Sequence, residues 1–313
     1  MVQSKNLVFC GTPQFAVPTL EKLAEAGFNL RLVLTQPDRP KGRGLGLVAS
    51  PVKQVALRLG LPVYQPEKIK HNEELRFKLE QVAPAAIIVV GYGRIIPNWM
   101  LQLPKHGNIN LHASLLPKFR GAAPIQWAIA NGEALTGVTT MRIDEGLDTG
   151  DILLQQQLAI LNEDTAETLS PRLAAIGAEL MVETLRGLAE GTISPQQQKN
   201  NEATLAPILK KEDGRIDFSR SALEIYNRLR GFQPWPGAFT SFRGKALGIT
   251  AAKPSEENVP QTQVLVKEGH LFVGCGDSTA LELLELQPEG KKRIPARDFI
   301  HGYRPRNGER LGE

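Results

Sequence analysis

Asn110 and His112, at alternate positions of one short segment, have the side chains of this sequence best placed to do chemistry. In Asn108-Ile109-Asn110-Leu111-His112 the apolar Ile109 and Leu111 alternate with them. A strand sends successive side chains to opposite faces, so the amide and the imidazole share one face while the other packs. Holding two polar groups on one strand face is unfavourable unless they meet a ligand or a partner. An amide offers an N–H donor, and an imidazole changes charge near neutral pH and can carry a proton. A lone histidine reads better as a hydrogen-bonded core residue, but the paired Asn110 and the aspartate loop that follows reverse that preference. Further on, Asp144-Glu145-Gly146-Leu147-Asp148-Thr149-Gly150-Asp151 sets two glycines among three aspartates, which means a sharply shaped polar turn. Any of its carboxylates could cap the turn's own backbone or serve as counter-charge to the imidazole.

The scaffold that must hold these groups reads as α/β. Leu7 to Phe9 is an apolar run closed by Gly11-Thr12-Pro13, and a helix bounded by Gly27 leads to a second strand, completing a βαβ crossover. Only Gly11 marks the first turn and no G-x-G-x-x-G follows, which speaks against a dinucleotide site and a nicotinamide-dependent reductase. A Pro- and Gly-rich stretch, 36–46, reads as a mobile surface loop. The continuous apolar run 85–90 suits the middle of a parallel sheet, and 91–97 is then a loop at a strand's carboxyl end, where open α/β sheets bind ligands. Later, Ser170-Pro171 is expected to interrupt or restart a helix. Residues 190–207, with Gly191, Pro195 and Gln196-Gln197-Gln198, read as a linker. Beyond it come one helix, a Pro234-Trp235-Pro236-Gly237 corner and short strands at the spacing of a small barrel. The expected architecture is an N-terminal doubly wound, Rossmann-like α/β domain over 1–189 and a smaller C-terminal OB-like β-barrel domain over 208–313.

The 313 residues suffice for two cores. Cys10 and Cys275, far apart, give neither a disulfide framework nor metal-ligand spacing. No apolar run approaches membrane-spanning length, and Met1 to Lys5 leads straight into a strand, so the reading is of a cytosolic protein with no membrane partner. The absence of obvious interface patches favours a monomer. A net charge of +4 permits a polyanionic partner without demanding one. From residue 208 on, 17 Lys and Arg stand against 14 Asp and Glu, and Lys291-Lys292-Arg293 is the densest basic cluster, as befits a domain that meets a polyanion.

These motifs together resemble the methionyl-tRNA formyltransferase family, within the wider group of enzymes that use 10-formyltetrahydrofolate. Asn110-x-His112-x-Ser114-Leu115-Leu116-Pro117 with Arg120-Gly121, and Asp148 within Asp144-x-Gly146-Leu147-Asp148-Thr149-Gly150, is similar to that group's catalytic signature. Gly11-Thr12-Pro13 with Phe15, the loop from Thr35 through Gly44, Gly121-Ala122-Ala123-Pro124-Ile125 and Leu286-Gln287-Pro288-x-Gly290-Lys291-Lys292 point to the tRNA-directed member. The resemblance implies Asn110, His112 and Asp148 as catalytic residues, with Asp144 and Asp151 left as turn residues. It implies 10-formyltetrahydrofolate as co-substrate without a metal, bound by Ser114, Leu115, Leu116 and Pro117 and by Gly91, Tyr92, Ile95 and Pro97. Initiator methionyl-tRNA is the implied partner, with Arg39, Lys41 and Arg43 near the acceptor stem, Lys210, Lys211, Lys291 and Lys292 on the backbone, and Phe15 either at the methionine side chain or in the core. Formyl transfer to an amine passes through a tetrahedral intermediate with a negative oxygen, which donors such as Asn110 and His112 would stabilise. The alternatives are another folate-dependent formyltransferase or a formyltetrahydrofolate hydrolase with a small acceptor, opposed by the basic second domain, or a non-catalytic RNA-binding relative, opposed by the intact Asn110, His112 and Asp148.

Overall fold

The computed structural model describes residues 5–41, the side chain of Lys41 excepted, and 46–313, which form two compact units. The first comprises Met1–Pro124, Leu135–Ala159 and Ser170–Ala206. Its strands are β1 (Asn6–Gly11), β2 (Asn29–Leu34), β3 (Arg39–Lys41), β4 (Gly46–Val48), β5 (Val63–Tyr64), β6 (Ala86–Val90), β7 (Asn108–His112), β8 (Leu135–Arg142) and β9 (Ile152–Ala159). Seven of them make one sheet in the order β5-β2-β1-β6-β7-β8-β9. The pairs from β5 to β7 are parallel, whereas β8 and β9 run antiparallel. Every residue of β6 is buried, as a strand covered on both faces by crossover connections requires. The strand order reverses between β1 and β6, the position where open sheets leave a crevice at their carboxyl ends. Of the stretch 36–46, Arg39–Lys41 form β3, which pairs antiparallel with β4, Arg39 opposite Val48; residues 42–45, on which the mobile-loop expectation also falls, lie outside the described residues.

Helices α1 (Val17–Glu25), α2 (Pro51–Arg58), α3 (Glu73–Val82), α4 (Asn98–Leu101), α5 (Pro124–Ala130) and α6 (Ala166–Glu190) follow the same local rules. Ser50 caps α2 by accepting a hydrogen bond from Lys53 N at 3.1 Å, with Pro51 as first helical residue. Pro171 does not break α6, contrary to expectation. It removes one bond near the start of the helix, to the carbonyl of the exposed Glu167, a group that water can satisfy. Helix α6 lies so close to β7 that a Cβ on Gly177 would stand 2.7 Å from Leu111 Cδ2. That contact covers the Leu111 face and leaves Asn110 and His112 to the opposite one.

The second unit gathers Ile125–Ala134, Ile160–Leu169 and Pro207–Glu313. It carries α7 (Ala222–Gly231), α8 (Ala296–Tyr303) and strands β10 (Phe239–Phe242), β11 (Lys245–Ser255), β12 (Val264–Lys267), β13 (His270–Gly274), β14 (Ala280–Pro288) and β15 (Ile294–Pro295). The sheet is antiparallel throughout, in the order β10-β11-β14-β13-β12, with β15 on β14. Its core holds Ile225 and Leu229 of α7 and Phe299 of α8 with Leu247, Ile249, Val273, Leu281 and Leu283. The last residues span the two free edges of this sheet: Leu311 N donates to Thr262 O and Gly308 N to Val264 O, while Gly312 N donates to Ser241 O on β10. The outermost strands are thereby covered.

Candidate active site

His112 ends β7 and is 5% exposed, with both ring nitrogens near acceptors. Nε2 lies 2.9 Å from the carbonyl oxygen of Phe119, and Nδ1 lies 3.6 Å from Asp148 Oδ2. A carbonyl only accepts, so Nε2 carries a proton, and Nδ1 is the nitrogen that faces Asp148. Asp148 Oδ2 accepts from Gly121 N at 2.8 Å, a bond that holds this carboxylate oxygen beside the imidazole. Asn110, two residues before His112 on the same face, is half-buried, and its amide has no hydrogen-bond partner among the described residues. The three groups brought together are thus a free amide, an imidazole of fixed tautomer and a carboxylate.

Local backbone explains how the aspartate loop reaches this position. Asp144 accepts from Gly146 N at 3.0 Å and from Thr149 Oγ1 at 2.7 Å, which makes it the turn-forming residue. A Cβ on Gly150 would stand 1.9 Å from Arg142 O, so only glycine lets the loop pass there. Asp148 itself adopts φ +53, a left-handed conformation that aspartate tolerates better than most residues.

The other predicted residues divide by environment. Ser114 is fully buried and its hydroxyl donates to Lys118 O at 2.6 Å, while Leu116 N donates to Thr139 Oγ1 and Gln155 Nε2 donates to Leu116 O. Leu116 is buried, and Leu115 and Pro117 are half-buried. Tyr92 lies within the sheet's core, where burial pushes its phenol far above its ordinary range. What residue 92 presents is its carbonyl, which accepts from Gln36 Nε2 at 2.9 Å and from Thr12 Oγ1 at 3.3 Å, tying together the loops after β1, β2 and β6. Gly91 takes φ +55 beside Pro13, Pro97 caps α4, and Ile95 is 90% exposed. Phe15 is half-buried and Arg39 is exposed at the foot of its hairpin, next to Asp38. The Lys53 ammonium, 2.5 Å from Asp38, holds that carboxyl below its usual range, with Gln65 adding a second bond. Arg43 and the side chain of Lys41 lie outside the described residues. In the second unit Lys210, Lys211, Lys291 and Lys292 are exposed, and none forms an ion pair among the described residues. Both thiols are buried, which pushes Cys275 up to about 12 and Cys10 higher still, so both remain protonated. Among the described residues no group of three or more His, Cys, Asp or Glu is arranged to hold a metal ion.

One buried pair went unnoticed in the sequence. Arg120 and Gln198 are bonded to each other, and Gln198 to the aspartate loop. Arg120 belongs to the signature, but nothing in a Gln-rich stretch marks Gln198 as its partner.

A doubly wound sheet with a cluster of polar groups at the end of one of its central strands has the architecture of an α/β enzyme. The model of the family described as "Formyl transferase" matches residues 4–185, and that described as "Formyl transferase, C-terminal domain" matches residues 208–304. The chain belongs to the formyl transferase family. Its relatives include proteins named methionyl-tRNA formyltransferase from Koribacter versatilis, 66% identical over 98% of both chains, and from Acidobacterium capsulatum, 62% identical over 98% of this chain and 99% of the other. Among solved structures, a sugar 3N-formyl transferase determined with dTDP and 5-N-formyl-THF shares the fold, with a TM-score of 0.67 at 19% identity over 92% of this chain and 99% of the other.

Proposed function

We propose that this protein transfers the formyl group of 10-formyltetrahydrofolate to the α-amino group of methionyl initiator tRNA, supplying formylmethionyl-tRNA for translation initiation, and that it acts as a cytoplasmic monomer. The acceptor is that named for its relatives, matched over nearly the whole chain. The observation that carries the chemistry is the 3.6 Å separation of His112 Nδ1 and Asp148 Oδ2, at the end of the strand that bears Asn110, whose amide has no partner among the described residues.

The reaction joins the amine nitrogen to the formyl carbon and breaks the bond from that carbon to folate nitrogen; the amine loses one proton and the folate nitrogen gains one. The attacking amine must be neutral, and an α-amine loses its proton readily near pH 8 (~7.7–8.0). In the tetrahedral intermediate the formyl oxygen is negative, and Asn110 Nδ2–H is the neutral donor placed for it. His112 supplies the mobile proton from Nδ1, because Nε2–H is committed to Phe119 O. The Asp148 carboxylate is the counter-charge for that proton, and Gly121 N–H keeps it in place. The folate is a substrate of this site. Residues 114–117 and 91–97, with the exposed Ile95 and Leu147, offer the apolar and peptide surface its flat ring system needs. Arg39, Lys41 and Arg43 meet tRNA phosphates near the acceptor end, Phe15 lies beside the methionyl group, and Lys210, Lys211, Lys291 and Lys292 bind the tRNA backbone.

Incubation with 10-formyltetrahydrofolate and charged initiator tRNA, following formyl incorporation, tests this reading. Transfer to methionyl-tRNA is expected; folate or NAD turnover without tRNA, and no transfer, would overturn it. Arg43→Ala should lower kcat/KM for the tRNA about tenfold while leaving the folate KM unchanged, as loss of a phosphate contact does. Unchanged tRNA kinetics would reject a tRNA-binding role for Arg43.

A further inference from the structure

Residues 196–206, which read as linker in the sequence, are bonded at both ends to the two stretches that carry the candidate catalytic groups. Gln196 exchanges two backbone hydrogen bonds with Ile152, both 2.8 Å, just past the aspartate loop. At the other end Arg120 N donates to Thr204 O, Ala206 N to Arg120 O and Phe119 N to Thr204 Oγ1. Between them lies Gln198, 6% exposed, whose side chain has a partner at every polar atom. Its Oε1 accepts from Arg120 Nε at 3.0 Å and from Arg120 Nη2 at 2.8 Å. Its Nε2 donates to the carbonyls of Asp148 at 2.8 Å and Gly150 at 2.7 Å. The orientation of this amide is not arbitrary: a guanidinium only donates and carbonyls only accept, so oxygen and nitrogen can lie only this way round.

We propose that Gln198 is a positioning residue that fixes the Asp148 carboxylate against His112 Nδ1. The proposal rests on the reading of Asp148 as a catalytic group. Asp148 holds a left-handed backbone conformation at φ +53, which persists only where surrounding bonds determine it. Two carbonyls of its loop converge on one Nε2, and the carboxylate is then aimed at Gly121 N and His112. The position calls for a side chain that accepts from a buried cation at one end and donates to two carbonyls at the other. Only an amide does both, and asparagine, one methylene shorter, cannot keep Arg120 and also reach both oxygens. Arg120, 7% exposed, gains no carboxylate from this arrangement; its further bond is to Asn200 Oδ1 at 3.0 Å.

Gln198→Glu separates the two ends, because a carboxylate keeps Arg120 paired and removes the donor to the loop. It should lower kcat between about tenfold and 100-fold, the effect of a catalytic group displaced by about 1 Å, with KM for 10-formyltetrahydrofolate and for methionyl-tRNA changed no more than about twofold. Introduced into Asp148→Asn, the same substitution should lower kcat no more than about twofold further, because the group it positions is already disabled. An unchanged kcat, or the same loss in both backgrounds, would overturn the positioning role. If Gln198→Glu does not give folded protein by thermal unfolding, Gln198→Asn is judged by the same two criteria. Full activity in Asp148→Asn would overturn the catalytic reading of Asp148 and this proposal with it, whereas an inactive Asp148→Asn beside a normal Gln198→Glu would overturn the positioning role alone.

Discussion

Two polar regions of this molecule are built on opposite terms. Around His112 most polar atoms have fixed partners at 2.7–3.0 Å, and the groups are buried or half-buried. The lysines of the second unit, Lys210, Lys211, Lys291 and Lys292, are exposed and unpaired among the described residues. The first region can act only through geometry, since a buried donor aimed elsewhere does nothing for a developing oxyanion. The second acts through a field that neighbouring charges share and salt screens. Loss of one group should therefore be severe in the first region and graded in the second.

The largest effect is expected at Asp148. Asp148→Asn keeps an acceptor for Gly121 N and removes only the charge, and kcat for formyl incorporation should fall between about 10²- and 10⁴-fold with both KM values little changed. A loss of only a few-fold would put Asp148 on the same footing as a surface charge and break the contrast. Next in size is a backbone effect. Gly121 takes φ +125, and a Cβ there would stand 2.6 Å from Ala206 O. Gly121→Ala should destabilise the protein by about 2–3 kcal/mol, read as a lower urea midpoint at unchanged m-value. An unchanged midpoint would show that residues 196–206 are held less tightly than their hydrogen bonds indicate.

What the sequence showed of this arrangement follows the range of the interactions involved. The strand with Asn110 and His112, the apolar run of β6 and the cap Ser50-Pro51 are set by neighbours in sequence, and their patterns are readable directly. The Asp148 loop announced itself by its glycines, but its approach to His112 depends on Gly121 N, 27 residues away. Gln198 was hidden because its partners lie 78 residues distant at Arg120 and 50 at Asp148, and a glutamine run carries the composition of a linker whether or not it is strapped down. Composition likewise misjudged α6, where Pro171 removes one bond to the carbonyl of an exposed residue.

The lysines should show the graded behaviour. Lys291→Ala with Lys292→Ala should leave kcat intact, raise KM for the tRNA, and reduce the slope of log KM against log salt by about 1.4–1.8, the amount expected for two phosphate contacts. A salt slope equal to that of the unmodified protein would remove this pair from the tRNA surface. A fall in kcat of the size expected for Asp148→Asn would erase the contrast from the other side.

The smallest effect concerns a polar cluster of the second unit that also pairs a buried charge. Glu282 is 8% exposed and accepts from His270 Nδ1 at 2.6 Å and from Lys253 Nζ at 3.1 Å. Desolvation pushes its carboxyl up, but the bonds from His270 and Lys253 outweigh it, and the net shift is downward. A carboxyl whose folded value lies below its unfolded one contributes stability that is fully present above the unfolded value and is lost as pH falls through the folded one. Glu282→Gln keeps the size and an acceptor oxygen, so it should flatten the acid side of the stability profile without changing the fold. Because His270 and Lys253 are both more than half exposed, the difference at neutral pH should stay under about 1 kcal/mol. Urea midpoints measured from pH 7 down to pH 3 check this (pH values about those of the carboxylate range): the wild-type curve should fall toward that of Glu282→Gln as the carboxyl protonates. Parallel curves would mean that burial lends no strength to the pairing of Glu282 with His270 and Lys253.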